Sequence, residues 1–358
     1  MTMRAALALA RRSLGRTWPN PAVGCVIVKD GRVIARGRTQ DGGRPHAEAE
    51  ALAQAGDQAR AATVYVTLEP CSHTGKSPPC ADALVKAGVA KVVSAIEDPD
   101  PRVKGSGHAR LKAAGIAVEV GEGATEAARI NEGFFVRVRD GHPLFHLKMA
   151  TSLDGHIATA SGDSKWITGE AARAHAHRLR ATHDAILVGA GTARSDDPDL
   201  TCRLPGLVAR SPVRLVLDAR ATLAPSSKLA RSAKQTPVWL LCAPDAKTDH
   251  LKGLGVELVR VPLDGEGRVS VTAVAQELGR RGLTRVLIEG GGVAAAAFLK
   301  AGLISRISVY RAGVVLGGDS RSAVAGLGLE RVGFAPRFVL DSVRAIGADT
   351  LETWRRGA

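Results

Sequence analysis

Aromatic residues are scarce in this chain of 358 residues, and their scarcity limits both its core and its partners. Phe, Trp and Tyr together make up 3% of the sequence, while apolar residues make up 45%. We therefore expect cores built from Ala, Val, Leu and Ile. Proteins that bind single-stranded nucleic acids stack bases on aromatic rings, which are nearly absent here.

Long apolar runs are also missing. No run reaches the roughly 20 residues that a membrane-spanning helix requires. The segment from Met1 to Arg12 is apolar and basic like a signal peptide, but its apolar part is short and ends in two arginines. We interpret it as an amphipathic helix, and we expect a cytoplasmic protein with no membrane partner.

Cysteines are few and widely spaced. An odd number of five does not suggest a disulfide framework. Cys25, Cys202 and Cys242 are expected to be small buried residues.

Charge of one sign is not concentrated anywhere, although the net charge is +14. The basic residues are scattered, never more than two in a row, and form no tail or arm. We therefore expect no nucleic-acid partner. Some of these cations are expected to bind a phosphate on a small-molecule substrate.

One set of residues, His46, Glu48, Cys71 and Cys80, carries recognisable chemistry. One imidazole and two thiolates give zinc three ligands and leave a fourth position for water. Zinc lowers the pKa of that water, so hydroxide is available near neutral pH. A carboxylate two residues after the histidine can move the proton to a leaving amine. This combination is typical of zinc deaminases.

The spacing of the two cysteines departs from the usual Pro-Cys-x-x-Cys pattern. Eight residues separate Cys71 from Cys80, and Gly75 and Pro78-Pro79 are suited to the longer loop. Unrelated core residues are the alternative interpretation. Against it, His46 opens an apolar-periodic helix, Cys71 follows a strand, and Cys80 precedes a helix, where the dipole favours a thiolate.

The rest of the chain alternates strands and helices, which predicts two α/β units that meet after residue 142. In the first unit we expect strands at 21–28, 32–37, 63–68, 91–96 and 117–120, and helices near 81–87, 107–114 and 124–132. In the second we expect strands at 144–149, 185–188, 213–217, 237–241, 256–261, 285–288, 304–309 and 337–340, and helices near 169–180, 271–281 and 293–301.

Three polar segments mark a second site: Lys148–Gly155, a loop over 192–203, and Glu289–Gly292 before an Ala-rich helix. Glycines there let the backbone approach a ligand, and helix N–H groups suit a phosphate. A plain tight turn explains the glycines equally well. No Gly-x-Gly-x-x-Gly followed by an acid supports a Rossmann fingerprint.

Together the motifs resemble one family over nearly the full chain and in the same order: bifunctional riboflavin-biosynthesis enzymes that join a deaminase to a reductase. The long Cys-x8-Cys loop is specific, because cytidine and tRNA-adenosine deaminases have the short form. The matching segments are Asn20–Gly24, His46–Glu48, Glu69–Cys80, Glu97–Pro99, Lys148–Gly155, Gly162–Thr168, Asp196–Pro198 and Glu289–Gly292.

The resemblance implies a fold and two reactions. Residues 1–142 would form a cytidine-deaminase-like α/β/α sandwich, and residues 143–358 a dihydrofolate-reductase-like α/β domain. The first would use Zn²⁺ to replace a ring amino group of 2,5-diamino-6-(5-phosphoribosylamino)pyrimidin-4-one by oxygen. The second would use NADPH to reduce the ribosyl group to ribityl, and would mediate any self-association.

The resemblance also implies residue roles. His46, Cys71 and Cys80 would bind zinc, and Glu48 would be the catalytic proton shuttle. Substrate contacts would come from Asn20, His73, Lys76, Lys148, Ser164, Arg180, Leu200, Arg203 and Glu289. NADPH contacts would come from Ala150, Trp166, Thr192, Asp196, Gly291, Gly292, Val293, Ala294, Ala295, Ala296 and Ala297.

Some alternatives stay open on the sequence. Trp166 is also compatible with a core position and Arg180 with a solvated helix face. Thr39 stands where the family commonly has His, and Glu50 stands where it tends to have His or Asn. These two departures affect the expected substrate contacts. Rival functions are a nucleoside or tRNA deaminase with an appended nucleotide-binding domain, and a non-catalytic zinc-stabilised nucleotide sensor.

Overall fold

Alternating strands and helices fill both halves of the chain in the computed structural model, which describes residues 2–74 and 78–357. The chain divides into two units, Met1–Gly141 and His142–Ala358. This division lies one residue before the boundary expected from the sequence. Among the described residues, no helix is long and apolar enough to cross a membrane.

The first unit is built on a five-stranded sheet with the order β2-β1-β3-β4-β5. The strand β1 runs antiparallel to β2 and β3, while β3, β4 and β5 are parallel. Its elements are α1 (Thr2–Ser13), β1 (Gly24–Lys29), β2 (Arg32–Arg38), α2 (Ala47–Ala55), β3 (Thr63–Val66), α3 (Cys80–Ala87), β4 (Lys91–Ser94), α4 (Ser106–Ala113), β5 (Ala117–Val120) and α5 (Ala124–Asp140).

Helices cover both faces of this sheet because its strands are apolar on both sides. Cys25 and Ile27 pack in one buried cluster with residues of α2 and α3, while the intervening Val26 packs in another with α1 and α5. Gly37 lets α2 approach closely, since a Cβ there would lie 2.1 Å from the carbonyl oxygen of Ala47. The start of α2, which follows His46, is thereby held against the sheet.

The second unit is built on a nine-stranded sheet with the order β11-β10-β9-β8-β12-β6-β13-β16-β15. Its elements are β6 (Leu144–Thr151), β7 (His156–Ala158), α6 (Glu170–Arg180), β8 (Ala185–Gly189), α7 (Ala190–Asp196), β9 (Val213–Leu217), α8 (Lys228–Arg231), β10 (Val238–Cys242), β11 (Val256–Arg260), α9 (Val271–Arg280), β12 (Arg285–Glu289), α10 (Gly292–Lys300), β13 (Ile304–Arg311), β14 (Arg321–Ser322), β15 (Phe338–Ile346) and β16 (Asp349–Arg356).

Seven neighbouring strands of this sheet, from β11 to β13, are parallel, and β16 and β15 continue it antiparallel. The register sets Glu289 beside Lys148 and Tyr310 beside Ala150. Because side chains alternate between faces along a strand, Lys148 and Ala150 lie on one face together with these neighbours. The sheet therefore gathers polar groups near the carboxyl ends of its central strands.

The structure differs from the sequence expectation in several elements. The strands β7, β14 and β16 and the helix α8 were not expected, and α5 ends at Asp140 rather than near residue 132. The segment expected as a loop over 192–203 begins inside the helix α7, which extends to Asp196. The short strand expected at 337–340 is the start of a nine-residue strand that pairs with β16. The polar residues of β15 concealed its length, since most of them are exposed rather than packed on a second layer.

Candidate functional site

Three ligand-type side chains meet in the first unit. Their donor atoms, on His46, Cys71 and Cys80, all lie within 4.8 Å of one another. The Nδ1 atom of His46 is 3.7 Å from Cys71 Sγ and 3.4 Å from Cys80 Sγ. His46 directly precedes α2, and Cys80 is the first residue of α3. One nitrogen and two sulfurs at this separation suit tetrahedral zinc with one position left open.

The electrostatics of this cluster favour a cation. Hydrogen bonds from Cys80 and His46 lower the pKa of the Cys71 thiol to about 4. The backbone N–H of Cys80 also donates to Cys71 Sγ at 3.3 Å. Cys80 shows the opposite shift, because its hydrogen bond to Cys71 and its burial raise its pKa. The two sulfurs are thus close enough to share a proton, which a divalent metal would displace because it binds thiolates.

Glu48 lies beside the cluster, on the first turn of α2, and is only 4% exposed. Burial and the charge on Cys71 raise the pKa of Glu48 to about 7. Its carboxylate also interacts with the Cys80 thiol. A carboxyl group in this position can take up and release a proton near neutral pH.

A cavity of about 250 Å³ opens onto this cluster. Asn20 and His73 border it, and Asn20 Nδ2 is held by a 2.8 Å hydrogen bond to the carbonyl oxygen of Gly43. Thr39 borders it too, with its hydroxyl occupied by the backbone of Val23. The predicted contact Lys76 lies outside the described residues. The other lining residues are Pro19, Pro21, Val23, Arg44, His46, Glu48, Leu68, Glu69, Cys71, Asp98, Asp100, Arg102, Val103, Phe134 and Arg137.

Glu69 holds one wall of this cavity in place. Its carboxylate accepts hydrogen bonds of 2.8 to 3.1 Å from the backbone N–H groups of Asp98, Gly105, Gly107 and His108. Its oxygens also come near those of Glu97 and a nitrogen of His108, a second group with ligand-type atoms. Because four backbone donors already occupy the Glu69 carboxylate, we assign it a structural role.

In the second unit, a cavity of about 380 Å³ lies at one side of β6. Glu289 lies behind its lining and holds two of the lining side chains: Arg180 donates to Glu289 at 2.8 and 2.9 Å, and Lys148 Nζ lies 3.8 Å from it. Arg180 also donates to the carbonyl oxygen of Thr201. The lining residues are Lys148, Ala150, Trp166, Thr168, Glu170, Ala172, Arg173, Ala174, Ala176, His177, Arg180, Arg203, Leu204 and Tyr310.

A larger cavity of about 800 Å³ shares Lys148 and Ala150 with the smaller one. Gly290 and Gly291 shape one wall with φ values of 78° and 75°, which side chains rarely adopt. A Cβ on Gly291 would also lie 3.1 Å from the hydroxyl oxygen of Thr192. The helix α10 begins directly afterwards, so its backbone N–H groups are available to an anionic ligand.

The predicted residues of the second unit distribute unequally between these cavities. The larger one is bordered by Ser164, Thr192, Asp196, Gly291, Gly292, Val293 and Ala295, and the smaller one by Trp166, Arg180 and Arg203. Ser164 was expected at the substrate but borders the larger cavity, together with most of the residues expected at NADPH. Trp166 was expected at NADPH but borders the smaller cavity, together with Arg180 and Arg203. Five predicted residues border neither cavity: three alanines of α10 (Ala294, Ala296 and Ala297), the buried Leu200, and Glu289, which reaches the smaller cavity through its contacts with Arg180 and Lys148.

The two sites have counterparts in known families. Residues 1–96 match the cytidine and deoxycytidylate deaminase zinc-binding region, and residues 143–351 match the RibD C-terminal domain. The riboflavin biosynthesis protein RibD of Escherichia coli is 41% identical over 97% of this chain and 96% of its own length. That of Bacillus amyloliquefaciens is 40% identical, over 97% and 93%.

The chain belongs to the RibD family. RibD of Acinetobacter baumannii has a solved structure with a TM-score of 0.89 at 40% identity, covering 99% of this chain and 98% of its own. A deaminase/reductase from Thermotoga maritima has a TM-score of 0.87 at 35% identity, covering 99% and 97%.

Membership in the RibD family confirms several expectations. The protein is a bifunctional enzyme of riboflavin biosynthesis, with a zinc-binding deaminase domain and a reductase domain that uses NADPH. The fold class is confirmed as well, with a cytidine-deaminase-like half and a dihydrofolate-reductase-like half. Neither rival function is favoured by these comparisons.

The structure of this RibD-family chain also brings in residues for which the sequence indicated no role. Asp98 faces the first cavity, and burial raises its pKa to about 7. Tyr310 borders the smaller cavity of the second unit. The segment Glu97–Pro99 was visible as a motif but suggested no role, and Tyr310 stands in an apolar strand without any local signal.

Proposed function

We propose that residues 1–142 deaminate 2,5-diamino-6-(5-phosphoribosylamino)pyrimidin-4-one and that residues 143–358 reduce the product, 5-amino-6-(5-phosphoribosylamino)uracil. The observation that carries the deaminase half is the meeting of His46, Cys71 and Cys80 beside the buried Glu48. The relative from Thermotoga maritima is described as a diaminohydroxyphosphoribosylaminopyrimidine deaminase and 5-amino-6-(5-phosphoribosylamino)uracil reductase.

In the deaminase half, His46, Cys71 and Cys80 would hold the zinc ion, which would supply an activated water at neutral pH. Glu48 takes up a proton at its carboxylate and passes it to the amino group, which leaves as ammonia. The burial of Glu48 beside His46 and Cys80 supports this role, because it places a carboxyl group next to the metal ligands and away from bulk water.

Substrate recognition in this half is assigned to Asn20, His73 and Lys76. Asn20 and His73 border the cavity that contains Glu48. The Nδ1 atom of His73 is buried without a hydrogen-bond partner among the described residues, so a ligand atom can satisfy it. Lys76 is assigned to the phosphate on charge alone.

In the reductase half, we assign the larger cavity to NADPH and the smaller to the ribosyl substrate. NADPH supplies a hydride. Donor and acceptor must be adjacent for hydride transfer, and the cavities share Lys148 and Ala150. Thr192, Asp196 and residues 291–297 are proposed to bind or frame NADPH. Lys148, Arg180 and Arg203 are proposed to hold the substrate, and Glu289 is proposed to contribute by fixing Arg180 and Lys148.

Ser164 and Trp166 lie on one loop, and this explains why each borders the cavity expected for the other. The two residues are separated by a single residue, and each borders one of the two cavities. We propose that this loop lies against both ligands where they meet. Leu200 is proposed to act through its backbone, which has a φ of 56° while its side chain is buried.

The test combines metal analysis with two assays on the purified chain. Ammonia release from the diaminopyrimidine phosphate should require zinc, and NADPH oxidation should follow only after deamination. Cytidine and tRNA serve as competing substrates. Turnover of cytidine or tRNA alone would overturn the proposal in favour of a nucleoside or tRNA deaminase, and absence of any turnover would favour a sensor.

We further propose self-association through the reductase half, in the cytoplasm where such metabolites and NADPH are found. The strand β15 ends the nine-stranded sheet and exposes Val339, Leu340 and Val343. An apolar sheet edge of this length favours pairing with another chain. Light scattering should give a mass above that of one chain, and Leu340→Lys should reduce it. A monomeric wild type would refute this part.

A further inference from the structure

A hydrogen-bonded chain of three side chains leads to the smaller cavity of the second unit. Arg344 Nη2 on β15 lies 2.7 Å from His175 Nε2 on α6. His175 Nδ1 in turn lies 2.6 Å from the hydroxyl oxygen of Tyr310 on β13. Tyr310 is 1% exposed and borders the cavity beside Lys148, whose ammonium lies 5.7 Å from the ring centre.

The chemistry of Arg344 fixes the direction of both hydrogen bonds. A guanidinium group can only donate, so His175 Nε2 accepts. A neutral imidazole with an accepting Nε2 carries its hydrogen on Nδ1, which therefore donates to Tyr310. The neutral form is favoured, because burial and the charges of Arg344 and Arg178 lower the pKa of His175.

The hydroxyl hydrogen of Tyr310 must then point away from His175. Within residues 2–74 and 78–357, His175 is the one hydrogen-bond partner of the Tyr310 oxygen. Burial and the negative charge of Glu289 raise the pKa of Tyr310, so the phenol keeps its hydrogen. Lys148, its neighbour in the cavity, carries only donors and cannot accept it. An acceptor is therefore left to the ligand.

We propose that Tyr310 is a catalytic residue of the reduction, donating a hydrogen bond from its hydroxyl to the ribosyl ring oxygen of the substrate. His175 and Arg344 are positioning residues that direct the phenolic hydrogen toward it. This inference rests on the proposed function, which places the substrate in the smaller cavity.

The reaction needs such a donor. Overall, C1′ gains a hydride from NADPH, the bond from C1′ to the ring oxygen breaks with both electrons on oxygen, and that oxygen gains one proton from solvent. Negative charge therefore develops on the ring oxygen as the bond opens. A donor fixed in place stabilises this charge more than it stabilises the ground state.

The first test is Tyr310→Phe, which removes only the hydroxyl. We expect kcat for NADPH oxidation to fall about 100-fold, the usual effect of losing one such donor, while NADPH affinity and ammonia release stay at wild-type values. The matched control is Tyr65→Phe, since Tyr65 on β3 is the other tyrosine of the chain and lies in the first unit. Wild-type kcat in Tyr310→Phe would overturn the inference.

The second test addresses positioning. Arg344→Met keeps the aliphatic stem but removes the donor, which frees His175 to accept the phenolic hydrogen and turn it from the cavity. We expect kcat to fall about tenfold, the value of roughly one hydrogen bond, with KM little changed. Arg344→Lys should restore most of the loss, because lysine also donates. Equal kcat in the Met and Lys variants would refute the positioning role.

NADPH oxidation by the wild type distinguishes a failure of the Tyr310 role from a failure of the proposed function. If the wild type oxidises no NADPH with the phosphoribosylaminouracil, the proposed function fails. If it does so normally and Tyr310→Phe matches it, only the role of Tyr310 fails. Thermal unfolding of each variant shows that the measured losses come from folded protein, and Arg344→Met remains informative if Tyr310→Phe is unstable.

Discussion

Arg180 donates two hydrogen bonds, of 2.8 and 2.9 Å, to the two carboxylate oxygens of Glu289. Both side chains are largely buried, and Lys148 adds a second positive charge at 3.8 Å. Removing two charges from water costs about as much as their attraction returns. The main effect of the pair is therefore on geometry, because it fixes the Glu289 carboxylate between Arg180 and Lys148, where β12 pairs with β6.

Glu289 should make the second unit sensitive to acid. Burial alone would raise its pKa, but the charges of Arg180 and Lys148 outweigh burial and lower the pKa from 4.5 to about 2. A carboxylate with a lowered folded pKa stabilises the fold above about pH 4.5 and loses that contribution as the pH falls toward 2. We expect Glu289→Gln to be less stable at neutral pH by about 3 kcal/mol and to lose part of this acid dependence.

Urea titrations of wild type and Glu289→Gln between neutral and acid pH measure this difference. The free energy of unfolding of the variant should fall less steeply below about pH 4.5. Identical slopes for the two proteins would show that the carboxylate is not held ionised by its neighbours.

Glu48→Gln should separate metal binding from catalysis. Glutamine keeps the shape of the side chain but cannot accept the proton of the attacking water. We expect wild-type zinc content, a loss of ammonia release of at least about 100-fold, and unchanged NADPH oxidation on the deaminated substrate. Retention of full deaminase activity would exclude Glu48 as the proton shuttle.

Removal of the metal should affect the two activities unequally. The ligands His46, Cys71 and Cys80 all belong to the first unit. A strong chelator should therefore abolish ammonia release and lower the unfolding temperature of that unit, while reduction of the uracil substrate continues. Added zinc should restore deamination. Parallel loss of both activities would argue against a metal site confined to the deaminase half.

Lys148→Ala should show the converse pattern. The ammonium borders both cavities of the second unit, so its loss removes a positive charge from the place where the two ligands meet. We expect kcat/KM for NADPH oxidation to fall on the order of 100-fold while deamination persists. Equal loss of the two activities would contradict separate sites.

The role of Gly291 in NADPH binding can be tested by adding a single methyl group. Gly291→Ala adds a Cβ to a residue whose φ is 75°, and that Cβ would lie 3.1 Å from Thr192 Oγ1. We expect the Kd for NADPH, measured by fluorescence, to rise about tenfold, given the usual cost of this backbone region for alanine. The matched control is Gly313→Ala, where a Cβ meets nothing within 4 Å. Equal affinities would remove the glycines from the cofactor site.

The metal cluster was predictable because each ligand stands at a local boundary in the sequence. His46 directly precedes a helix, Cys80 begins one, and Cys71 follows a strand, so their types and surroundings can be recognised one segment at a time. The glycines before α10 were recognisable for the same reason. The long strand β15 was not, since its exposed residues lack the alternation that marks a half-buried strand.

What the sequence determined by itself was chemistry and local structure: the ligand types, the apolar periodicities and the spacing of Cys71 and Cys80. Only the tertiary structure decided which distant groups meet, such as Arg344 with His175 and Tyr310, or Arg180 with Glu289. The physical reason is that side-chain chemistry and periodicity act within a few residues. Contacts across a sheet depend instead on strand order and register, which place residues more than a hundred positions apart at hydrogen-bonding distance.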